Sequence, residues 1–144
     1  MRLFKKLFIA AFCLLTAQTA FADENISVNQ LPRKAQMTLR TDFRNQKIDE
    51  IEMDRDGGKV RYEVSFVNGN SIEFGKNGNW KEIECKKHGV PMRLIPAPIV
   101  RNIKHKFGDV RVLKIEKDEK QFEVKLSNGE EIKYNQNFKV IDED

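Results

Sequence analysis

The second half of this sequence repeats the pattern of the first half, which limits the fold to two copies of one small unit. Residues 31–85 align with residues 95–142, and the helix, strand and turn signals keep the same order in both copies. Only the first copy has the turn at residues 54–58. The aligned pairs are Leu31 with Ile95, Phe43 with Phe107, Ile51 with Ile115, Tyr62 with Phe122, Val64 with Val124, Asn68 with Asn128 and, after one more short deletion, Trp80 with Phe138 and Ile83 with Ile141.

Each copy opens with a helical pattern. Pro32 and Pro96 stand where proline is well accepted, in the first turn of a helix. The pattern predicts one amphipathic helix of about three turns in each copy, with its apolar stripe in the core. Apolar residues recur at helical spacing at Ala35, Leu39 and Phe43 in the first copy and at Ile99, Val100, Ile103 and Phe107 in the second.

After each helix, apolar residues alternate with polar ones, as in antiparallel strands with one buried and one hydrated face. Asn68-Gly69 and Asn128-Gly129 favour tight hairpin turns whose two central residues both have positive φ. The fold class is therefore α+β, with two tandem repeats that each pack one helix on a four-stranded antiparallel sheet, and the two sheets either join or face one another. The predicted strands are residues 48–55, 59–67, 70–75 and 79–84 in the first copy, and 110–117, 120–127, 130–135 and 137–141 in the second.

The first 22 residues have the three parts of a secretory signal peptide. A basic start, MRLFKK, is followed by an apolar run, LFIAAFCLLTA, and by Ala20-Phe21-Ala22, which fits the small-x-small cleavage signature. The apolar run is shorter than the roughly 20 residues that span a bilayer. We expect cleavage after Ala22, export to the periplasm and no transmembrane segment in the mature chain.

Removing this segment leaves a chain with almost balanced charge. The whole chain has 26 basic and 22 acidic residues, and three of the basic ones lie in residues 1–22, so 23 basic and 22 acidic residues remain. A nucleic-acid-binding protein needs a clustered basic excess, which this sequence lacks. Cys85 is the one cysteine that remains, so no intramolecular disulfide can form, and we interpret it as a packed thiol.

The repeated pattern resembles the PepSY-like family of exported bacterial proteins. The resemblance covers about residues 31–142 and is most specific at the hairpin Tyr62–Trp80, YEVSFVNGNSIEFGKNGNW, and at its second copy Phe122–Phe138, FEVKLSNGEEIKYNQNF. In the family a proline often follows the aromatic residue that ends the helix, whereas Arg44 and Gly108 stand there in this chain. The resemblance implies tandem units in the periplasm, similar in fold to the beta-lactamase inhibitory protein, and it transfers no catalytic residue.

The domain boundaries follow from the signal peptide and the repeat. The short linker contains Gly89 and Pro91 and would hold the two repeats close together. We expect a monomer, with self-assembly through sheet edges or through Cys85 as the alternative. The predicted parts are a signal peptide at residues 1–22, a first PepSY-like repeat at 23–85, a linker at 86–94 and a second PepSY-like repeat at 95–144.

The mature sequence does not assemble a catalytic or metal-binding motif. Cys85 and His88 offer two metal ligands where a structural zinc site needs four. Residues 54–57 begin like a calcium loop, but Ser65 occupies the position of the required glutamate, so we predict a hairpin turn. His105 lies on the polar side of the second predicted helix. We therefore expect no catalytic residue, no metal and no cofactor.

The hydrated face of the predicted sheets is the candidate binding site. Opposite charges in neighbouring strands pair across such a face and contribute roughly 0.2–1 kcal/mol each. Two repeats side by side would form a polar platform for a protein or peptide of the cell envelope, and a merely solvated face is the alternative. The candidate binding residues are Arg61, Glu63, Ser65, Glu73, Lys81, Glu123, Lys125, Glu131 and Lys133.

These observations predict a non-enzymatic periplasmic binding or interaction protein whose partner is an unknown protein or peptide. Inhibitor-like binding would be one form of this activity, although a similar fold does not by itself imply the same target. The alternative is a periplasmic enzyme, such as a hydrolase whose reacting groups come from both repeats. A cleft that holds carboxylates with strongly raised pKa values would favour the enzyme.

Overall fold

The computed structural model describes residues 23–144, so the predicted signal peptide and its cleavage site lie outside the described residues. The chain forms one antiparallel sheet of nine strands that follow one another in chain order. Two α-helices pack on one face of this sheet, which confirms the α+β fold class. No helix within residues 23–144 is long and apolar enough to cross a membrane.

Each helix is preceded by a short 3₁₀ turn and followed by a meander of strands. The helices are α1 (Arg33–Asp42) and α2 (Ala97–Phe107), and the 3₁₀ turns are Val28–Gln30 and Met92–Leu94. Strand β1 was not predicted, and the last strand begins at Val140 rather than at residue 137. The strands are β1 (Glu24–Asn25), β2 (Ile48–Asp56), β3 (Lys59–Phe66), β4 (Ser71–Gly75), β5 (Trp80–Glu84), β6 (Val112–Lys117), β7 (Gln121–Leu126), β8 (Glu131–Asn135) and β9 (Val140–Glu143).

The two repeats share one sheet because β5 of the first repeat pairs with β6 of the second. The register of this pairing is Glu82 with Glu116, Ile83 with Ile115 and Glu84 with Lys114. The pairing extends one residue beyond β5, where the Cys85 amide donates to the Leu113 carbonyl at 2.8 Å. The sequence left open whether the two sheets join or face one another, and the structure shows that they join.

The core lies between the helices and the inner face of the sheet. Ala35 and Leu39 of α1, and Ile99 and Ile103 of α2, are buried, so the predicted apolar stripes do face the sheet. The period-two alternation of each strand then leaves the polar residues on the opposite face. The buried strand residues include Ile51, Val64, Phe66, Ile72, Phe74, Ile83, Ile115, Val124, Leu126, Ile132 and Tyr134.

Cys85 is part of this core, as the packed-thiol interpretation requires. It is 1% exposed. Burial, with a smaller contribution from the charge of Glu84, raises the pKa of the thiol to about 11. Because the thiolate is the reactive form of cysteine, this group is inert at neutral pH and is poorly placed to cross-link two chains.

The Asn-Gly turns differ from the prediction. Within residues 23–144 only Phe138 among the non-glycine residues has a positive φ, so neither turn asparagine has one. At the first turn the Gly69 amide donates to the Phe66 carbonyl at 3.0 Å, and Gly69 has a φ of 88°. Such a three-residue loop needs one left-handed residue rather than two. The Asn68 side chain instead accepts a hydrogen bond from the Asn70 amide at 3.0 Å.

The last hairpin corrects the alignment of the two copies. The Gly78 amide donates to the Gly75 carbonyl at 2.9 Å, and the Phe138 amide donates to the Asn135 carbonyl at 2.9 Å. Phe138 is therefore the counterpart of Gly78 and not of Trp80. The deletion that the sequence suggested near this point does not exist, because the two hairpins have the same length.

Phe138 holds a left-handed conformation that a bulky residue rarely adopts. Its φ of 60° implies strain of order 1–3 kcal/mol. The ring packs on Phe122 with the centroids 5.4 Å apart, and such aromatic pairs contribute about 0.5–1.5 kcal/mol beyond the area they bury. Val140 occupies the position that Trp80 has in the first copy. Aromatic packing at this end of the second repeat thus comes from the turn instead of the strand.

Replacement of Gly78 by alanine should destabilise the protein through two effects. A Cβ at this position would lie 2.9 Å from the Pro32 Cβ and 3.0 Å from the Ala35 amide N, and Gly78 has a φ of 82°. Gly129 is the matched control, since it has a φ of 90° and no atom within 4 Å of an added Cβ. We expect urea denaturation to show a loss of about 1 kcal/mol for Gly129→Ala and a loss of at least about 2 kcal/mol for Gly78→Ala. Equal losses would contradict the close approach of α1 to this turn.

Candidate functional site

A row of glutamates crosses the outer face of the sheet, which is the face that the helices leave uncovered. Each of six consecutive strands, β2 to β7, contributes one glutamate, and each glutamate lies directly opposite the next in the strand register. Lys133 and Asp142 continue the row on β8 and β9. We call the six residues the glutamate ladder: Glu52, Glu63, Glu73, Glu82, Glu116 and Glu123.

Strand alternation and one bulge place these side chains in line. In β3 the buried residues Tyr62 and Val64 flank Glu63, so Glu63 points to the outer face. In β5 an irregular register brings Glu82 opposite Glu73, which leaves Lys81 as the extra residue of the bulge. The pairing of β5 with β6 then continues the row into the second repeat.

The ladder carries an electrostatic cost. Like charges directly opposite one another on neighbouring strands destabilise a sheet. Partial burial, and then the charges of Glu52, Glu73 and Glu82, raise the pKa of Glu63 above its usual range, while Arg61 opposes the shift. The ionised form of Glu63 is therefore disfavoured in the folded protein.

Three cations on the outer face offset part of this repulsion. Arg61 contacts Asp54 at 2.9 Å and Glu73 at 3.2 Å. Lys133 lies 3.8 Å from Glu123. The third cation, Lys114, lies at the junction of the repeats and contacts Glu82 at 3.0 Å, Glu116 at 3.2 Å and Glu84 at 3.8 Å.

Lys114 binds the glutamates of both repeats together. Burial alone would lower the pKa of Lys114, but hydrogen bonds and charge interactions with Glu82 and Glu116 raise it well above the usual range. Lys114 is therefore protonated at neutral pH. Lys86 also lies 3.7 Å from Glu84, so Lys114 and Lys86 together place two positive charges beside the three carboxylates of Glu82, Glu84 and Glu116.

A shallow cavity of about 420 Å³ lies on the outer face beside Lys114. Leu113 is among its lining residues, together with charged residues of both signs. The register irregularity between Val112 and Lys114 accompanies this depression. The charged residues that line the cavity are Glu84, Lys86, Lys114, Glu116, Glu123, Lys125 and Glu131.

The structure brings the candidate binding residues together on this outer face. Arg61, Glu63, Ser65, Glu73, Lys81, Glu123, Lys125, Glu131 and Lys133 all lie on strands β3, β4, β5, β7 and β8. Sequence analysis did not include Glu52, Glu82, Glu116 or Lys114. Their alternation with apolar residues was visible in the sequence, but their alignment across strands depends on the pairing of β5 with β6.

The other candidate groups form no reactive cluster among the described residues. Cys85 is buried, and His88 and His105 are both exposed. Asp54 and Asp56 belong to the β2–β3 hairpin, where Gly57 and Gly58 have φ values of 55° and 83°, as predicted for a turn. No group of three or more His, Cys, Asp or Glu side chains within residues 23–144 is arranged to hold a metal ion.

Similar proteins of known structure share this architecture. A protein of the DUF2874 family from Bacteroides vulgatus, described as periplasmic, is 42% identical with a TM-score of 0.84, and the match covers 87% of this chain and 98% of that one. A periplasmic protein from Bacteroides thetaiotaomicron, described as calcium-regulated, is 43% identical with a TM-score of 0.82 and coverages of 85% and 96%. A periplasmic protein of unknown function from Bacteroides vulgatus is 30% identical with a TM-score of 0.79 and coverages of 85% and 98%.

The family comparison also finds two tandem segments, which meet at residues 60–61 and not at the linker predicted from the sequence. No curated protein matches the chain. The family model described as beta-lactamase-inhibitor-like and PepSY-like matches two tandem segments, residues 18–61 and 60–142. The resemblance of the repeated hairpin to this family is thereby confirmed, and the chain belongs to the PepSY-like family.

Proposed function

We propose that this protein is a non-enzymatic periplasmic binding protein that recognises a basic segment of a cell-envelope protein through the glutamate ladder. The observation that carries the proposal is the in-register row of six glutamates on the uncovered face of the sheet. Its periplasmic location is supported by the three similar proteins described as periplasmic.

The cost of the ladder is the first argument for a binding role. Alternating signs across strands would stabilise the sheet, whereas facing glutamates destabilise it. A cationic partner on this face would reduce the repulsion between the facing glutamates. Neighbouring strands are about 4.8 Å apart, so the ladder is about 24 Å long, which matches about seven residues of an extended peptide.

The distribution of charge is the second argument. Helix α2 carries Arg101, Lys104, His105 and Lys106 and no acidic residue. The acidic sheet face and the basic helix side therefore lie on opposite sides of a chain whose total charge is almost balanced. Such a separation orients an approaching partner by its charge and favours specific encounter.

The alternative of a periplasmic hydrolase has less support from the described residues. A nucleophile needs a base within hydrogen-bond reach. The Cys85 thiol is buried, and its pKa is raised to about 11 by burial and by Glu84, while His88 and His105 point into solvent. The raised pKa of Glu63 arises on an open sheet face and not in an enclosed cleft.

Neutralising two ladder residues should weaken the binding of a cationic peptide. Glu52 and Glu63 are suitable because the ion pairs of Arg61 and Lys114 do not involve them. With fluorescein-labelled decalysine as the probe, we expect Glu52→Gln/Glu63→Gln to weaken binding at least fivefold in fluorescence anisotropy at about 0.15 M salt, where screening suppresses distant charge effects.

The matched control removes the same charge elsewhere. Glu119 and Glu130 lie in the β6–β7 and β7–β8 turns, so Glu119→Gln/Glu130→Gln should bind decalysine as the unmodified chain does. Affinity capture from envelope extract with residues 23–144 as bait would then identify the natural partner, which should be lost on the ladder variant alone. Equal affinity of both double variants for decalysine would contradict the proposed site.

The same ladder predicts an unusual stability change. Because the folded-state pKa of Glu63 is raised, its ionisation destabilises the fold at neutral pH, and this penalty disappears as the pH falls through that pKa. We expect Glu63→Gln to stabilise the protein by a few tenths of a kcal/mol at pH 7, a modest value because the residue is exposed. Measured by urea denaturation, this gain in the free energy of unfolding should vanish near pH 3. If Glu63→Gln instead lowered the free energy of unfolding at pH 7, the ladder would not be repulsive.

A response to calcium is a second candidate function. One similar protein is described as calcium-regulated, and carboxylate oxygens are the ligands that Ca²⁺ prefers. No group of three or more such side chains within residues 23–144 forms a ready-made metal site, so Ca²⁺ would associate along the ladder as a whole. In that case millimolar CaCl₂ should raise the melting temperature by a few degrees. Glu52→Gln/Glu63→Gln should reduce this shift in melting temperature, whereas the control variant Glu119→Gln/Glu130→Gln should not. An equal shift with MgCl₂ would indicate general screening and would count against calcium specificity.

A further inference from the structure

An open groove lies on the opposite side of the molecule, where the second helix meets the first repeat. It has a volume of about 710 Å³. Its walls come from the 3₁₀ turn Met92–Leu94 and the start of α2 on one side, and from strands β5, β6 and β7 on the other. The groove therefore contains residues of both repeats and of the linker between them. We call it the junction groove.

Most of the junction groove is apolar. Trp80 and Phe122 supply aromatic rings, and Leu94 and Val100 supply aliphatic side chains. Met92 is 66% exposed at its rim, which is unusual for a methionine in a folded domain. Ligand sites in proteins have volumes of about 300–1,000 Å³ and are mainly apolar with a few polar groups, and the junction groove has these properties.

The polar residues of the groove are all cationic. Arg93, Arg101 and Lys117 line it, and none of the groove-lining residues within 23–144 carries a carboxylate. Arg93 is held by Asp42, 3.2 Å away. Arg101 is exposed on α2 and Lys117 is partly buried on β6, and both line the same groove, so the groove presents two further cations to an anion.

Lys117 lies against the ring of Trp80 at the wall of the groove. Its Nζ lies 3.9 Å from the centroid of the Trp80 ring. Burial, and then the charges of Lys81 and Lys34, lower its pKa. An anion beside Lys117 would reverse this effect and gain a charge-assisted contact in a partly desolvated site.

We propose that the junction groove binds an aliphatic carboxylate of the fatty-acid type. The carboxylate lies between Arg101 and Lys117, and the hydrocarbon chain packs along Leu94, Val100 and Phe122 towards Met92. Charge complementarity selects the anion, and the apolar walls select a chain rather than a small hydrophilic acid. This site is separate from the glutamate ladder, and the decanoate and decalysine measurements test the two sites independently.

Trp80 is the single tryptophan of the chain and therefore reports on this groove directly. We expect sodium decanoate, used below its micellar concentration, to change the Trp80 fluorescence saturably and to give one site in titration calorimetry. The uncharged analogue 1-decanol should bind at least tenfold more weakly. No saturable heat with decanoate would overturn the proposal.

Charge-removing variants locate the site. Arg101→Gln/Lys117→Gln should weaken decanoate binding at least tenfold in calorimetry, which does not depend on the altered surroundings of Trp80. The matched control is Lys104→Gln/Lys120→Gln, which removes two exposed cations that do not line the groove and should bind as the unmodified chain does. Circular dichroism confirms that each variant folds. Equal weakening in both variants would overturn the assignment.

Two other occupants are tested in the same experiments. An acidic apolar tetrapeptide that saturates the groove where decanoate does not would replace the fatty-acid assignment with a peptide site. Sedimentation velocity without ligand should show a monomer, and a dimer that is lost on substitution of Met92 by lysine would show that a second copy of the chain covers the groove.

Discussion

The pairing of β5 with β6 is the contact on which the rest of the structure depends. It places Glu82 opposite Glu116 and brings Lys114 between the carboxylates of the two repeats. On the other side of the sheet, the same pairing sets Lys117 over Trp80. Both candidate sites therefore cross this junction, and neither could form if the two repeats were joined only by a flexible linker.

The separation of roles between the two sheet faces follows from the period of the strand. Every second side chain is buried beneath α1 or α2, so core packing fixes the register of the strands. The outer side chains are then free of packing requirements, and their charges can be arranged at a modest energetic cost. Arg61 and Lys114 limit this cost by contacting ladder glutamates. The packing of the apolar core thus fixes the position of the glutamate ladder, although the charges of the ladder themselves destabilise the sheet.

Local patterns predicted much of this fold, while long-range pairing could not be predicted. The helical stripes, the strand alternation and the common face of the candidate residues are consequences of period, which a sequence shows directly. The ladder depends on which strands become neighbours across the linker, and no local pattern contains that information. The buried Asn70 was missed for the same reason. Its side chain donates to Gln46 at 2.9 Å and accepts from the Lys86 amide at 3.1 Å, and both partners are distant in sequence.

At Phe138, matching residue types misaligned the two copies, whereas the backbone hydrogen bonds of the turn align them correctly. An aromatic residue near the end of each copy suggested a match with Trp80, but the turn geometry matches Phe138 with Gly78. The consequence is functional as well as geometric. In the second copy, Phe138 supplies the ring that packs on Phe122. Val140 stands where the first copy has Trp80, and the last strand lies at the edge of the sheet. Trp80, one of the two aromatic residues that line the junction groove, therefore has no aromatic counterpart in the second copy. Duplication supplied two similar units, and the candidate binding features arose where those units differ and where they meet.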